Sequence, residues 1–216
     1  MDLFGEHWAG YEEKILRDWN KKVGANDVGI IAGDISWAMK MGEMEKDIEY
    51  LHKLNGLKII IRGNHDYWWN TITKVRESIG QGIHALQNDS IRIDGVVFCG
   101  TRGWKCPERR SAQNQDDKKI YDREVIRLEL ALQDAKTKLQ DGDKLVAIMH
   151  YPPFNSTRDE SHFTELLERY KVDVCIYGHL HGAKGGRKEL FTQKGEVRYY
   201  LTSCDQLDFA VAEIEL

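Results

Sequence analysis

The 216-residue chain carries a net charge of −4, and 41% of its residues are hydrophobic and 31% are charged. This is the composition of an ordinary globular protein, and the length predicts a single domain over residues 1–216. Charges of both signs are interspersed, so no obligatory nucleic-acid partner is indicated, and no apolar run reaches the roughly 20 residues that span a bilayer. The four cysteines form no Cys-x-x-Cys pair, which fits a reducing cytoplasm.

Short apolar runs alternate with helical patterns along the chain. The run at 28–32 is apolar throughout, as expected for a strand buried on both faces of a parallel sheet. Asp94-Gly95 between two short apolar runs is a strong hairpin signal. In chain order the sequence predicts a helix at 8–22, a strand at 28–32, a helix at 43–54, a strand at 58–61, a helix at 70–79, a hairpin at 91–98, a helix at 117–140, a strand at 145–149, a helix at 162–170, a strand at 172–177, and antiparallel tail strands at 197–202 and 209–216.

The order of these elements indicates the fold class. Strands that alternate with helices favour parallel pairing, and the hairpins favour antiparallel additions, so an α/β fold with two mixed sheets flanked by helices accommodates both. The chain opens with a helix that leads into a buried strand, whereas such a helix normally crosses over from a preceding strand. We therefore expect that the first strand of the fold is missing before Met1 and that the domain is truncated at its N-terminus.

Polar side chains follow four of the predicted strands, at the edge of the sheet where ligands collect in α/β proteins. Taken singly, a Gly-Asp turn, a lone histidine or a His-x-His pair has little significance. Taken together at successive strand ends, they predict one site. Carboxylate, amide and imidazole groups together suit Mn²⁺, Fe²⁺, Zn²⁺ or Co²⁺ better than Ca²⁺ or Mg²⁺. The residues concerned are Asp34, Asn64, His65, Asp66, His150, His179 and His181.

These motifs carry a resemblance to a known family. Gly33-Asp34, the run Gly63-Asn64-His65-Asp66, His150 and the run Gly178-His179-Leu180-His181 resemble motifs of the calcineurin-like metallophosphoesterase superfamily, and the resemblance covers nearly the whole chain. The stretches GTRGW at 100–104 and HYPPFN at 150–155 resemble a bacterial branch described as predicted phosphohydrolases. The resemblance implies a two-sheet β-sandwich flanked by helices, with a binuclear centre of divalent transition metals at the rim.

The resemblance also implies roles for individual residues. Asp34 would bridge both metals, Asn64, His150 and His179 would complete one metal site, and His181 would contribute to the other. His65 would hold no metal and would lie close to the leaving-group oxygen. Asp66 is a possible orienting partner of His65.

The chain departs from the family pattern at its start. The family begins with a strand ending in Asp-x-His, which supplies two ligands to the first metal, and Asp2 and His7 do not reproduce that spacing. The complete family site holds two metals, and this chain is therefore expected to bind either one or two. We favour the explanation that the sequence starts after the first motif, because the other motifs are intact.

Two functions follow from these observations. The leading one is a metal-dependent phosphoesterase that acts on a phosphomonoester or phosphodiester, with a small molecule or a phosphoprotein as substrate. The competing one is a non-catalytic scaffold or regulator that binds a single metal. Nucleotide binding of the P-loop type is disfavoured, because no Gly-x-x-x-x-Gly-Lys-Ser/Thr run occurs.

Other residues near these motifs leave two interpretations open. Trp37, Trp68 and Trp69 either line a pocket for an aromatic leaving group or pack in the core or at its rim. Arg102 lies in a glycine-flanked loop and either reaches a phosphate or has a structural role.

Overall fold

The chain folds as two β-sheets packed face to face between two layers of helices. The fold is described from a computed structural model, which defines residues 5–109, 114–182 and 189–216. Two short 3₁₀ helices lie at Glu6–Trp8 and Met41–Glu43. The α-helices are α1 Tyr11–Lys22, α2 Glu45–His52, α3 Ile72–Ile79, α4 Gln115–Lys138 and α5 His162–Arg169.

The smaller sheet contains three parallel strands in the order β1-β2-β3. Ile30 of β1 pairs with Ile59 of β2, and Ile59 pairs in turn with His84 of β3. Within the described residues β1 pairs only with β2, so it is the edge of this sheet. The three strands are β1 Val28–Ile31, β2 Leu57–Ile61 and β3 Ile83–Leu86.

The larger sheet is mixed and has six strands in the order β4-β5-β6-β7-β9-β8. Its inner strands run parallel, and an antiparallel hairpin closes each edge. The first hairpin turns at Asp94 and Gly95, both of which have positive φ, as a two-residue turn between twisted strands requires. The strands are β4 Asp89–Ile93, β5 Val96–Thr101, β6 Lys144–Met149, β7 Val174–Tyr177, β8 Phe191–Lys194 and β9 Val197–Leu201.

Three apolar clusters hold these layers together. Between the sheets, Ile59 and Ile61 of β2 pack against Val146 and Ile148 of β6. A second cluster joins the outer face of the large sheet to α4 and α5, and a third joins the outer face of the small sheet to α1, α2 and α3. Strands buried on both faces explain the continuous apolar runs in the sequence.

The predicted two-sheet α/β fold flanked by helices is confirmed, with corrections at three elements. β3 and β8 were not predicted. The predicted tail strand at 209–216 is wrong, because this segment has no strand pairing and lies as an extended tail across α1. Val211 donates its N–H to Asp18 of α1 at 2.6 Å, and Ile214 packs against the cluster between the sheets. Within the segment Phe209 is buried and Val211 and Ile214 are partly buried without strand pairing, while Leu216 is exposed.

No described helix is long and apolar enough to cross a membrane.

Candidate metal centre

The candidate site lies where four strands of the two sheets end side by side. Asp34 follows β1 and Asn64 follows β2 in the small sheet, while His150 follows β6 and His179 comes shortly after β7 in the large sheet. His150 connects the sheets directly, because its Nδ1 lies 2.8 Å from the carbonyl oxygen of Ala32. The predicted meeting of these strand ends is thus present in the fold.

Two glycines allow the loops to approach this closely. A Cβ at Gly33, which has a φ of 90°, would come within 2.8 Å of Nδ1 of His150. A Cβ at Gly63 would come within 2.1 Å of Oδ1 of Asp34. Asp34 and His179 also have positive φ, at 55° and 69°, a conformation that non-glycine residues adopt at a cost and that recurs at functional sites.

Four side chains converge on one point. Ligand atoms of Asp34, His150 and His179 all lie within 4.8 Å of one another. The amide oxygen of Asn64 joins them, 2.8 Å from Nε2 of His150. Nε2 of His150 also lies 3.4 Å from the Asp34 carboxylate and 3.2 Å from Nδ1 of His179. This set contains one carboxylate, one amide and two imidazoles.

The hydrogen bond to Ala32 fixes the proton of His150. A carbonyl oxygen only accepts, so Nδ1 of His150 donates to it and the neutral ring presents the lone pair of Nε2 to the cluster. Asn64 and Asp34 offer oxygen lone pairs to the same space. Facing lone pairs repel unless a cation lies among them, so the donor set fits a divalent transition metal.

Burial keeps both imidazoles of the cluster in the neutral form. It lowers the pKa of His179 to about 4, with the neighbouring His150 acting in the same direction. It also lowers the pKa of His150, which is 1% exposed, against the opposing effect of Asp34. A neutral imidazole is the form that binds metals, so both rings are ready as ligands at neutral pH.

Asp66 has a different task from the one expected. Its carboxylate is fully buried and accepts five hydrogen bonds of 2.7–3.0 Å, none of them from the ring of His65. Burial raises its pKa, and the bonds from Gly63 and Ser36 act in the opposite direction. The expectation that Asp66 orients His65 is therefore corrected: Asp66 ties the loop after β1 to the loop after β2. Its donors are the backbone N–H groups of Asp34, Ile35, Ser36 and Gly63 and the indole of Trp68.

His65 lies beside this network with its ring among aromatic side chains. Its backbone N–H donates to Oδ1 of Asp34 at 2.8 Å, which fixes the loop beside the cluster. Its ring stacks on Trp37, with centroids 4.9 Å apart and an interplanar angle of 26°. The hydroxyl of Tyr67 lies 3.2 Å from Nδ1 of His65. Tyr67 is thus the side-chain hydrogen-bond partner that the sequence did not indicate.

His181 lies outside the four-residue cluster. Its ring is 42% exposed, and its Nδ1 is 2.7 Å from Oδ1 of Asp205, whose side chain is 4% exposed. The second oxygen of Asp205 accepts the N–H of Gly182 at 2.8 Å. A carboxylate bound to Nδ1 leaves Nε2 of His181 as its ligand atom, so metal binding by His181 remains a prediction.

Neither Asp2 nor His7 at the start of the chain was expected to replace the missing first motif, and Asp2 lies outside the described residues. His7 is exposed, and its ring makes an edge contact with Trp8.

The structure also shows what surrounds Arg102, Trp68 and Trp69. The guanidinium of Arg102 lies over the ring of Trp104 and 3.6 Å from the buried carboxylate of Glu124. The backbone carbonyl oxygen of Arg102 accepts the N–H of His150. Trp68 and Trp69 are 2% and 3% exposed and belong to the core cluster, and both also border a cavity beside the loops after β1 and β2.

A family model and one solved structure agree with this architecture. The family model described as calcineurin-like phosphoesterase matches residues 6–183. The crystal structure of TT1561 of Thermus thermophilus is 10% identical, with a TM-score of 0.56 over 91% of this chain and 84% of that one, a likeness that shows the fold alone. AQ665, a protein of unknown function from Aquifex aeolicus, is 15% identical, with a TM-score of 0.45 over 93% and 80%. A search of curated proteins gives no match.

Proposed function

Since this chain belongs to the calcineurin-like phosphoesterase family, we propose that it is a metal-dependent hydrolase of a phosphomonoester or phosphodiester. The convergence of Asp34, Asn64, His150 and His179 is the observation that carries the proposal. Four lone-pair donors, two of them neutral imidazoles, are gathered at the end of a rigid sandwich. A bound cation would make such an arrangement favourable.

The residues of the chain have distinct tasks in the proposed reaction. Asp34, Asn64, His150 and His179 would hold the cation, with His150 oriented by its bond to Ala32. A bound divalent metal supplies charge for the phosphoryl oxygens and lowers the pKa of a bound water. Arg62 precedes Gly63 in the chain, and its buried Nε has no hydrogen-bond partner among the described residues.

His65 is assigned to the leaving group. During hydrolysis a water oxygen bonds to phosphorus, the bond from phosphorus to the alcohol oxygen breaks, and the alcohol leaves with a proton. The imidazole of His65 would donate that proton, because its loop is fixed to Asp34 while its ring lies outside the four-residue cluster.

One observation favours the competing function, a scaffold with a single bound metal. His181 lies outside the cluster and is exposed, which is consistent with one metal site formed by the four candidate ligands. If the second cation is absent, the protein would bind metal without rapid hydrolysis. The number of bound metals therefore separates the two functions.

The test combines activity with metal content. Purified protein loaded with Mn²⁺ or Zn²⁺ is assayed on a panel of phosphomonoesters and phosphodiesters, and its metal is measured by elemental analysis. His65→Ala should lower turnover by about 10²–10⁴-fold and leave the metal content unchanged. His52→Ala, an exposed histidine on α2, is the matched control and should change neither.

The outcomes separate the alternatives. Metal binding without hydrolysis of any ester would favour the scaffold. A loss of metal in His65→Ala would make His65 a ligand, and a protein that retains no metal would rule out both functions.

A further inference from the structure

Exposed apolar side chains gather beside His65. Eight large hydrophobic residues are exposed in the part of the chain that the structure describes, and three of them occupy the loops after β1 and β2. These are Trp37, Met39 and Tyr67, which are 45%, 64% and 49% exposed. We call these three residues the aromatic rim. Trp37 and Tyr67 both contact the ring of His65.

A cavity of about 600 Å³ adjoins this rim, within the size range of small-molecule sites. Met39 and Tyr67 form part of its wall, so the rim and the cavity are continuous. Lys40, Asn70 and Gln87 contribute polar groups to the same wall. The wall therefore combines aromatic side chains with several hydrogen-bonding groups, which can orient a ring-containing molecule.

The rim is held in place by polar contacts rather than by burial. The Asp66 carboxylate binds three successive N–H groups of the loop that leads to Trp37. The hydroxyl of Ser36 donates to Asp47 of α2 at 2.6 Å, and the N–H of Met39 donates to Glu43 at 2.9 Å. A fixed backbone thus presents large apolar side chains to solvent, an arrangement that marks binding surfaces.

We propose that the aromatic rim receives the alcohol half of the substrate and that this alcohol carries a planar aromatic ring. The inference rests on the proposed function, in which His65 gives a proton to the alcohol oxygen. Because Trp37 and Tyr67 both contact the ring of His65 and remain half-exposed, a ring attached to that oxygen would lie next to the exposed surface of both side chains. Stacking on an aromatic side chain is worth about fivefold in affinity beyond the area buried.

The test uses two substrates that differ only in the planarity of the ring. Benzyl phosphate and cyclohexylmethyl phosphate release primary alcohols of similar acidity, so a difference in kcat/KM reports contacts with the ring. The Mn²⁺-loaded protein should prefer the benzyl ester by about fivefold or more. Trp37→Leu keeps apolar bulk but removes the aromatic face, and should bring the ratio of the two kcat/KM values close to one. Phe191→Leu changes an exposed aromatic residue on β8 and should leave the ratio unchanged.

The ratio separates this inference from the proposed function. Any effect of Trp37→Leu on His65 itself acts equally on both esters and cancels. Equal kcat/KM values in the unaltered protein, or a ratio that survives Trp37→Leu, would overturn the aromatic rim and leave the hydrolase intact. If neither ester is hydrolysed, calorimetric binding of benzylphosphonate and cyclohexylmethylphosphonate gives the same ratio without turnover. Equal affinities there would overturn the inference independently.

Discussion

His179 and His181 are two residues apart and have opposite surroundings. His179 packs against the ring of Tyr151, with centroids 4.1 Å apart, and faces Nε2 of His150. His181 is 42% exposed and is held by one carboxylate from the C-terminal segment, Asp205. We call these regions the inner side, formed by Asp34, Asn64, His150 and His179, and the outer side, formed by His181 and Asp205.

The difference shows two ways of orienting a histidine. On the inner side, the fold orients the histidine rings. The strand ends and the carbonyl oxygen of Ala32 fix these rings when the two sheets pack together. On the outer side, two side-chain contacts orient His181: Asp205 binds its Nδ1, and the ring of Trp8 lies 5.8 Å from its ring, centroid to centroid. The inner side should therefore bind a cation more tightly, and the outer side should be easier to alter without loss of the fold.

The largest effect is expected from Asp66→Asn, which should disrupt the support of the inner side. An amide replaces one acceptor oxygen by an NH₂ group that faces N–H donors, so buried donors lose their partner. We expect a loss of about 3 kcal/mol in the free energy of unfolding, measured by urea titration. Asp122→Asn, at an exposed position on α4, should change it by less than about 0.5 kcal/mol. Equal effects of the two changes would contradict the role given to Asp66.

The next effect compares direct ligands on the two sides. Asp34 is the only carboxylate of the inner side, so Asp34→Asn should weaken Mn²⁺ binding by more than about 100-fold, beyond the loss seen when an outer partner of a ligand is removed. His181→Ala should change the Mn²⁺ affinity of the inner side by less than about threefold. This is smaller than the loss expected when an outer partner of a ligand is removed. Isothermal titration calorimetry measures both. A loss in His181→Ala as large as that in Asp34→Asn would place the two sides in one site.

A smaller effect is expected from Asp205→Asn. Removing the carboxylate that orients His181 should weaken a second, looser binding step by about 10-fold and leave the tight step unchanged. The same titrations, extended to high Mn²⁺ concentration, resolve the two steps. If only one step is found and Asp205→Asn does not alter it, the outer side holds no metal, and the single-metal alternative gains support.

The smallest effect concerns Tyr67→Phe. Loss of one neutral hydrogen bond to Nδ1 of His65 is worth about 1 kcal/mol, so kcat should fall about fivefold while Mn²⁺ affinity stays the same. The measurement is steady-state kinetics alongside calorimetry. A fall in metal affinity would mean that Tyr67 acts through the inner side rather than through His65.

The inner side could be predicted from the sequence because its residues follow buried strands. Apolar runs mark the strands, and parallel strands end at one edge, so Asp34, Asn64, His150 and His179 were expected together. β8 was missed because this edge strand alternates exposed and half-buried residues and carries Gln193 and Lys194. β3 is only four residues long and includes a histidine.

Other features of the site could not be predicted, because spacing does not give the direction of a side chain. Asp66 follows His65 directly, yet its carboxylate turns into the core, towards the N–H groups of another loop. Asp205 lies 24 residues after His181 and three residues beyond the predicted strand at 197–202, but no motif marked it as a candidate. The tail at 209–216 has the apolar pattern of a strand, but Val211 and Ile214 are partly buried by packing against the core clusters and the segment pairs with no strand.

The Asp66 hydrogen bonds also govern how the site exchanges with solvent. Four amide protons, those of Asp34, Ile35, Ser36 and Gly63, point at one buried carboxylate, although all four belong to loops. Loop amides normally exchange quickly with deuterium, whereas protons held in this way exchange only when the segment opens. These four amides should therefore belong to the slowly exchanging set of the metal-free protein. Binding of a cation would then require little rearrangement of the backbone, because folding has already arranged the loops.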